Sequence, residues 1–96
     1  MANDKVIHLN DPTTFDNETK EGYALVDFWA GWCAPCLALA PTIDSLADKF
    51  DGQIKICKVD VDSNQDSAAK FGVRGIPFIA LLKDGKLIDS VTGNDP

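Results

Sequence analysis

The sequence predicts an α/β domain, a mixed sheet with helices on its faces, its central strands parallel and its closing hairpin antiparallel. Three observations carry that expectation. The apolar run at 24–29 has the near-continuous hydrophobicity of a strand covered on both sides, and 54–61 carries β-branched residues on both faces of its pleat. Between them, residues 36–50 repeat apolar positions at helical spacing. The chain then ends in two strand-like segments joined by Asp84-Gly85, a hairpin signature.

Taken in order, residues 5–9 read as a short strand, and Asn10-Asp11-Pro12 supplies a turn and a helix start for 13–20. Gly22 breaks that helix ahead of the 24–29 strand. Pro35 suits the first turn of the next helix, because the N–H it lacks would be unpaired there anyway. Leu37, Leu39, Ala40, Ile43, Leu46, Ala47 and Phe50 define the apolar face expected of this helix. Pro41 interrupts it, and a kink is expected about one turn past the cysteines. Asp51-Gly52 ends the helix, and 54–61 follows as a strand. A turn at 62–64 leads into a short helix over 65–71, closed by Gly72. Pro77 cannot donate to a ladder, so it marks a strand start, an edge or a cis turn. Strands at 78–83 and 86–92 complete the hairpin, and Gly93 to Pro96 reads as a linker or helix entry.

With 96 residues, 45% of them hydrophobic, the chain is expected to form a single small domain over 1–96 with one core. The formal net charge of -6 and the lack of any basic run disfavour nucleic acid and anionic membrane surfaces as partners. The N-terminus has no leader pattern, and nowhere do 18 apolar residues follow one another, so a cytoplasmic protein is expected. Three cysteines are too few for a secreted disulfide scaffold and favour a reducing compartment. Zinc would need two ligands beyond Cys33 and Cys36. Only Cys57 and His8 are on offer, at a spacing that fits no common zinc pattern, so no metal is expected.

Chemistry concentrates where the second strand runs out, at Trp32-Cys33-Ala34-Pro35-Cys36. Two thiols separated by two residues can close a small disulfide ring. A helix N-terminus at Cys33 favours its thiolate through unpaired N–H groups and the positive end of the helix dipole. Asp27 is anomalous in an apolar strand. It reads either as a carboxylate at a wet sheet edge or as a proton-transfer group for the cysteines, with a pKa that burial would raise. Lys58 reads either as its partner on a neighbouring strand or as a solvated lysine. Cys57 reads as a small buried hydrophobe, and His8 as a strand histidine with a local hydrogen bond.

Val26-Asp27-Phe28-Trp29-Ala30, Trp32-Cys33-Ala34-Pro35-Cys36, Pro41, Lys58-Val59-Asp60, Arg74-Gly75-Ile76-Pro77 and Lys83-Asp84-Gly85 stand in an order and spacing that resemble the thioredoxin family over nearly the whole chain. The resemblance implies a sheet of order 1-3-2-4-5 with the fourth strand antiparallel. It also implies reduction of protein disulfides without a cofactor, using electrons from an external reductant such as a thioredoxin reductase. Under it, Cys33 is an exposed nucleophile, Cys36 resolves the mixed disulfide, and Asp27 with Lys58 nearby takes the Cys36 proton. Pro77 becomes a cis-proline packed on the cysteine pair, and the Ile76 backbone binds an extended substrate segment. Trp32, Ala34, Pro35, Ile76, Pro77 and Gly93 become the docking surface.

Departures from the family pattern refine these expectations. Ala34 replaces the usual glycine, which is expected to stiffen the loop mildly and, with Pro35 retained, to leave the dithiol reducing, whereas Leu37 replaces a basic residue, which predicts a slightly higher thiolate pKa or altered partner choice. Phe78 follows Pro77 where a small polar residue is common, and it is expected to enlarge the apolar surface near the site. The family continues after Gly93 into a final helix, absent from this chain, so a domain truncated at its C-terminus is expected. Its uncovered sheet face should favour self-association. Two other functions stand beside reduction. One is a non-catalytic binding module or truncated scaffold, and the other a disulfide oxidant or isomerase. The latter is weakened by the lack of histidine between the cysteines.

Overall fold

The computed structural model describes residues 3–93. Strands β1 (Val6–His8), β3 (Lys55–Asp60), β2 (Tyr23–Trp29), β4 (Phe78–Lys83) and β5 (Lys86–Thr92) hydrogen-bond side by side in that order. β1 and β2 run parallel to β3, whereas β4 is antiparallel to β2 and to β5. This is the mixed sheet of order 1-3-2-4-5. Its helices are α1 (Pro12–Thr19), α2 (Ala34–Lys49) and α3 (Gln65–Lys70).

Local chemistry fixes the element ends. Asp11 caps α1 by accepting from the Thr14 N–H at 2.8 Å, with Pro12 in the first turn. Asn64 caps α3 through the Ser67 N–H, and its Nδ2 donates to the buried Leu9 carbonyl at 3.0 Å, tying the helix start to the end of β1. Caps of this kind are worth about 1 kcal/mol each. Asp84 and Gly85 both adopt positive φ, 51° and 82°, as the two-residue turn between β4 and β5 requires.

α2 runs unbroken through Pro41, which leaves the Leu37 carbonyl without its usual helical donor but does not end the helix. Its buried residues are Cys36, Ile43 and Ala47, spaced by whole turns, with Leu39 and Leu46 packed alongside. Leu37 was expected on this face and is instead 50% exposed. One residue along a helix turns the side chain by about 100°, which carries Leu37 past the edge of the stripe that Cys36 occupies.

Register divides the sheet into two faces, because partners directly opposite one another point the same way. One row runs His8, Lys58, Asp27, Ile79, Val91. The next row, Ile7, Cys57, Val26, Ala80, Ser90, points to the other face. There, Val26, Phe28, Val59, Ala80 and Leu82 form the main core with Phe15 of α1, and Phe71 packs against it. The rings of Phe15 and Phe71 lie 5.6 Å apart and those of Phe28 and Phe78 lie 5.8 Å apart. Phe78 therefore adds nothing to the surface near the site. It is buried because the alternation of β4 turns Phe78, Ala80 and Leu82 inward together.

On the Asp27 face, α2 packs over β3 and β1, with Val6, Ile43, Ala47 and Ile56 at the centre of a second core. The far side of this face is open. Leu25, Ile79, Leu81 and Val91 border a shallow depression of about 180 Å³, and β5 is exposed along its whole length.

Candidate active site

β2 delivers the site. Its last residues lead through Ala30 and Gly31 to Trp32, and Cys33 becomes the N-cap of α2. An N-cap side chain accepts from the first turn of its helix, and here the acceptor is sulfur: the Cys36 N–H donates to Cys33 Sγ at 3.3 Å. Cys33 and Cys36 are joined as a disulfide, with Cα atoms 5.3 Å apart. Cys33 Sγ also lies 3.9 Å from the Ile76 carbonyl oxygen, so the loop before β4 borders the sulfur pair.

The expectation that Cys33 is exposed needs correction. It is 6% exposed and Cys36 1%, so it is the more accessible of the two cysteines but is itself buried. Its bond to Cys36 and the packing of Ala30, Trp29, Val61 and Ile76 around the pair close it in. Next to it in the chain, Trp32 is 70% exposed. Ala34 and Pro35 are exposed at the start of α2, and Ile76 and Gly93 are half-buried. Pro77 lies beneath the surface rather than on it. The Ile76–Pro77 peptide is cis, and the Pro77 carbonyl accepts from the Gly93 N–H at 2.6 Å, which draws the end of β5 to the site.

Asp27 is fully buried, and neither carboxylate oxygen has a hydrogen-bond partner among the described residues. Burial pushes its pKa up from 3.8 to about 6, and the positive charge of Lys58 pulls part of the way back. Asp27 and Lys58 are register partners on adjacent parallel strands, yet no ion pair joins them. The Lys58 ammonium sits instead over the Trp29 ring, 4.4 Å from its centroid. Lys58 therefore acts on Asp27 at longer range than a direct pair would. Cys57 stands in the row facing away from Asp27, buried and free, its thiol pushed up to about 12 by desolvation.

Two residues beside the site were not singled out from the sequence for its chemistry. Asp62 accepts from Trp32 Nε1 at 2.9 Å and holds the exposed indole in one orientation. Arg74 lines the same groove as Trp32 and Ile76. An acidic turn residue and one arginine in a loop carry no local signal of either position, since Trp32 meets Asp62 only through the β2–β3 crossover. Among the described residues no three His, Cys, Asp or Glu side chains converge to hold a metal ion, and no helix is long and apolar enough to cross a membrane.

A sulfur pair capping a long helix, with a buried carboxylate on the strand behind it, defines a thiol-disulfide oxidoreductase. Known proteins agree. The thioredoxin family model matches residues 5–96. The thioredoxin of Bacillus subtilis is 45% identical over 83 residues, covering 86% of this chain and 80% of that protein. That of Staphylococcus saprophyticus is 46% identical over 84 residues, covering 88% and 81%. The solved structure of a thioredoxin from Malassezia sympodialis superimposes with a TM-score of 0.88 at 32% identity, covering 95% of this chain and 83% of that one. The chain belongs to the thioredoxin family, and its activity is that of a protein-disulfide reductase working through a redox-active disulfide.

Proposed function

We propose that Cys33 is the attacking sulfur and Cys36 the resolving one in the reduction of protein disulfides. In the reduced protein the Cys33 thiolate attacks one sulfur of a substrate disulfide, forms a mixed disulfide with it and expels the other sulfur as a thiolate. Cys36 then gives up its proton and attacks Cys33 Sγ. The mixed disulfide breaks, the Cys33–Cys36 bond forms, and the substrate leaves with both sulfurs reduced. The two electrons come from the dithiol, and a reductase of the thioredoxin reductase class restores it. The protein thus serves as an electron carrier.

The observation that carries this assignment is the N-cap contact. The Cys36 N–H points at Cys33 Sγ, where it and the dipole of a 16-residue helix favour negative charge. Cys36 lies within the first turn and is the more buried sulfur, suited to a step that follows docking. Asp27 is the base for Cys36, acting through water. A carboxylate with a pKa of about 6 is mostly ionised at neutral pH and a far better proton acceptor than an ordinary aspartate. Lys58 keeps that pKa from rising further. Trp32, Ala34, Pro35, Ile76 and Gly93 form the docking surface, with Pro77 shaping it from below, and the Ile76 backbone pairs with an extended substrate segment. A reducing compartment such as the cytoplasm suits a chain whose third thiol is unpaired.

The test is turnover of an insulin-type disulfide substrate by two variants. Cys33→Ser is expected to abolish reduction, and Cys36→Ser to accumulate a covalent enzyme–substrate adduct visible by intact mass. Full activity in Cys33→Ser, or an adduct on Cys36 in that variant, would reverse the assignment.

A further inference from the structure

Beside the disulfide lies a groove of about 390 Å³ whose apolar lining is Trp32, Val61, Ala68, Val73 and Ile76. Arg74 is the charged residue among those lining the groove. Arg74 is also the only arginine in the chain, and it is exposed. The ion pairs among the described residues all use lysines, Lys5, Lys55 and Lys70, and none of them engages the Arg74 guanidinium.

We propose that Arg74 selects substrate segments that carry a carboxylate close in sequence to the disulfide cysteine. The proposal rests on Cys33 being the attacking sulfur. Ile76 and Trp32 both line the groove, and Ile76 borders Cys33 Sγ, so a substrate sulfur that reaches Cys33 brings its neighbouring residues into the groove. An extended segment advances about 3.3 Å per residue, so side chains within a few positions of the reacting cysteine come into reach of the guanidinium. Arginine presents a planar fork of donors that matches a carboxylate with two parallel hydrogen bonds, and the apolar walls take the substrate's neighbouring aliphatic groups.

A single lining charge makes the selection depend on position. The carboxylate of Asp62 accepts from the Trp32 indole, and Arg74 is the charged residue that lines the groove itself. The net charge of -6 repels an added carboxylate wherever it sits on the substrate, whereas Arg74 favours it only at the positions that come within its reach. A position-dependent preference therefore separates contact with Arg74 from the overall field.

The experiment uses a set of disulfide peptides that place Glu, or its neutral isostere Gln, at each of the positions flanking the reacting cysteine, with kcat/KM read for each Glu/Gln pair. At one or two adjacent positions the wild-type protein is expected to prefer Glu by roughly two- to five-fold, the range of a solvent-accessible ion pair. That ratio is expected to fall to about one in Arg74→Gln and to survive in part in Arg74→Lys. It should shrink as salt is raised from about 0.01 to about 1 M, over which the screening length drops from about 30 to about 3 Å. Because each variant is compared with itself on paired substrates, altered folding does not mimic the loss. Equal or poorer rates with Glu at every position, or a Glu preference undiminished in Arg74→Gln, would overturn the proposal. Reduction of these peptides by Cys33→Ser would instead sink the sulfur assignment, and the selection with it.

Discussion

Replacing Asp27 with asparagine removes the ionisable group of a fully buried side chain while keeping its shape. The folded protein holds the Asp27 proton up to about pH 6, whereas an unfolded chain releases it near 3.8. Between those values the folded state binds more protons than the unfolded one, so stability falls as pH rises, the reverse of an aspartate in a salt bridge. At about 1.4 kcal/mol per pH unit, the interval from 3.8 to about 6 corresponds to a cost of roughly 3 kcal/mol, complete above the folded-state pKa. Asp27→Asn escapes that cost. Guanidinium unfolding of the oxidised wild type and variant across this range is expected to give similar stabilities below 3.8 and a widening gap above it. The variant should be the more stable by up to about 3 kcal/mol once the pH exceeds the folded-state pKa. Removing the Lys58 charge, as in Lys58→Met, should leave the onset near 3.8 and carry the upper end of the dependence to higher pH, because that charge is what pulls the folded-state carboxyl down. Parallel curves for wild type and Asp27→Asn, or a wild type that gains on the variant as pH rises, would refute the burial argument.

Phe28→Ala should cost about 3–5 kcal/mol by denaturant unfolding, because the ring packs against Phe15, Phe71 and Phe78 at once and no neighbour can fill its place. A loss below about 1 kcal/mol would mean that this cluster collapses around the cavity. Cys57, buried with a thiol pKa pushed up to about 12, should resist alkylation in the folded, reduced protein at about pH 8.5, where an ordinary thiol is half ionised. Mass measurement with peptide mapping is expected to show no label on Cys57 before unfolding and one afterwards. Three labels on the native protein would contradict the burial of β3.

Much of this fold was legible because it is written locally. The β4–β5 hairpin follows from alternation on either side of Asp84-Gly85, whose two positive φ angles leave few other turns open. The cysteine pair at the start of α2 follows from spacing and from Pro35 in the first turn. What stayed hidden depends on register and phase. Lys58 is opposite Asp27 as anticipated, but its four-carbon stem carries the charge over Trp29, a choice made by side-chain torsions that no spacing reveals. Phe78 was placed at the surface beside Pro77, whereas the pleat of β4 turns it onto Phe28. Spacing puts Leu37 on the apolar face of α2, and the phase set by Cys36, Ile43 and Ala47 turns it outward. Asp62 and Arg74 gain their meaning only from meeting Trp32 across chain separations of tens of residues.

The pieces around the two sulfurs come from four places in the chain. These are the β2–α2 junction, the turn after β3, the loop before β4 and the residue that follows β5. Hairpin opening alone, with the disulfide untouched and β1, β2 and β3 still paired, would carry off the Ile76 carbonyl and the Gly93 contact together. Disulfide reduction by this protein is therefore also a gauge of sheet cooperativity. A mutation far out on the hairpin that lets β4 come away from β2 strips these contacts from the sulfurs without approaching them.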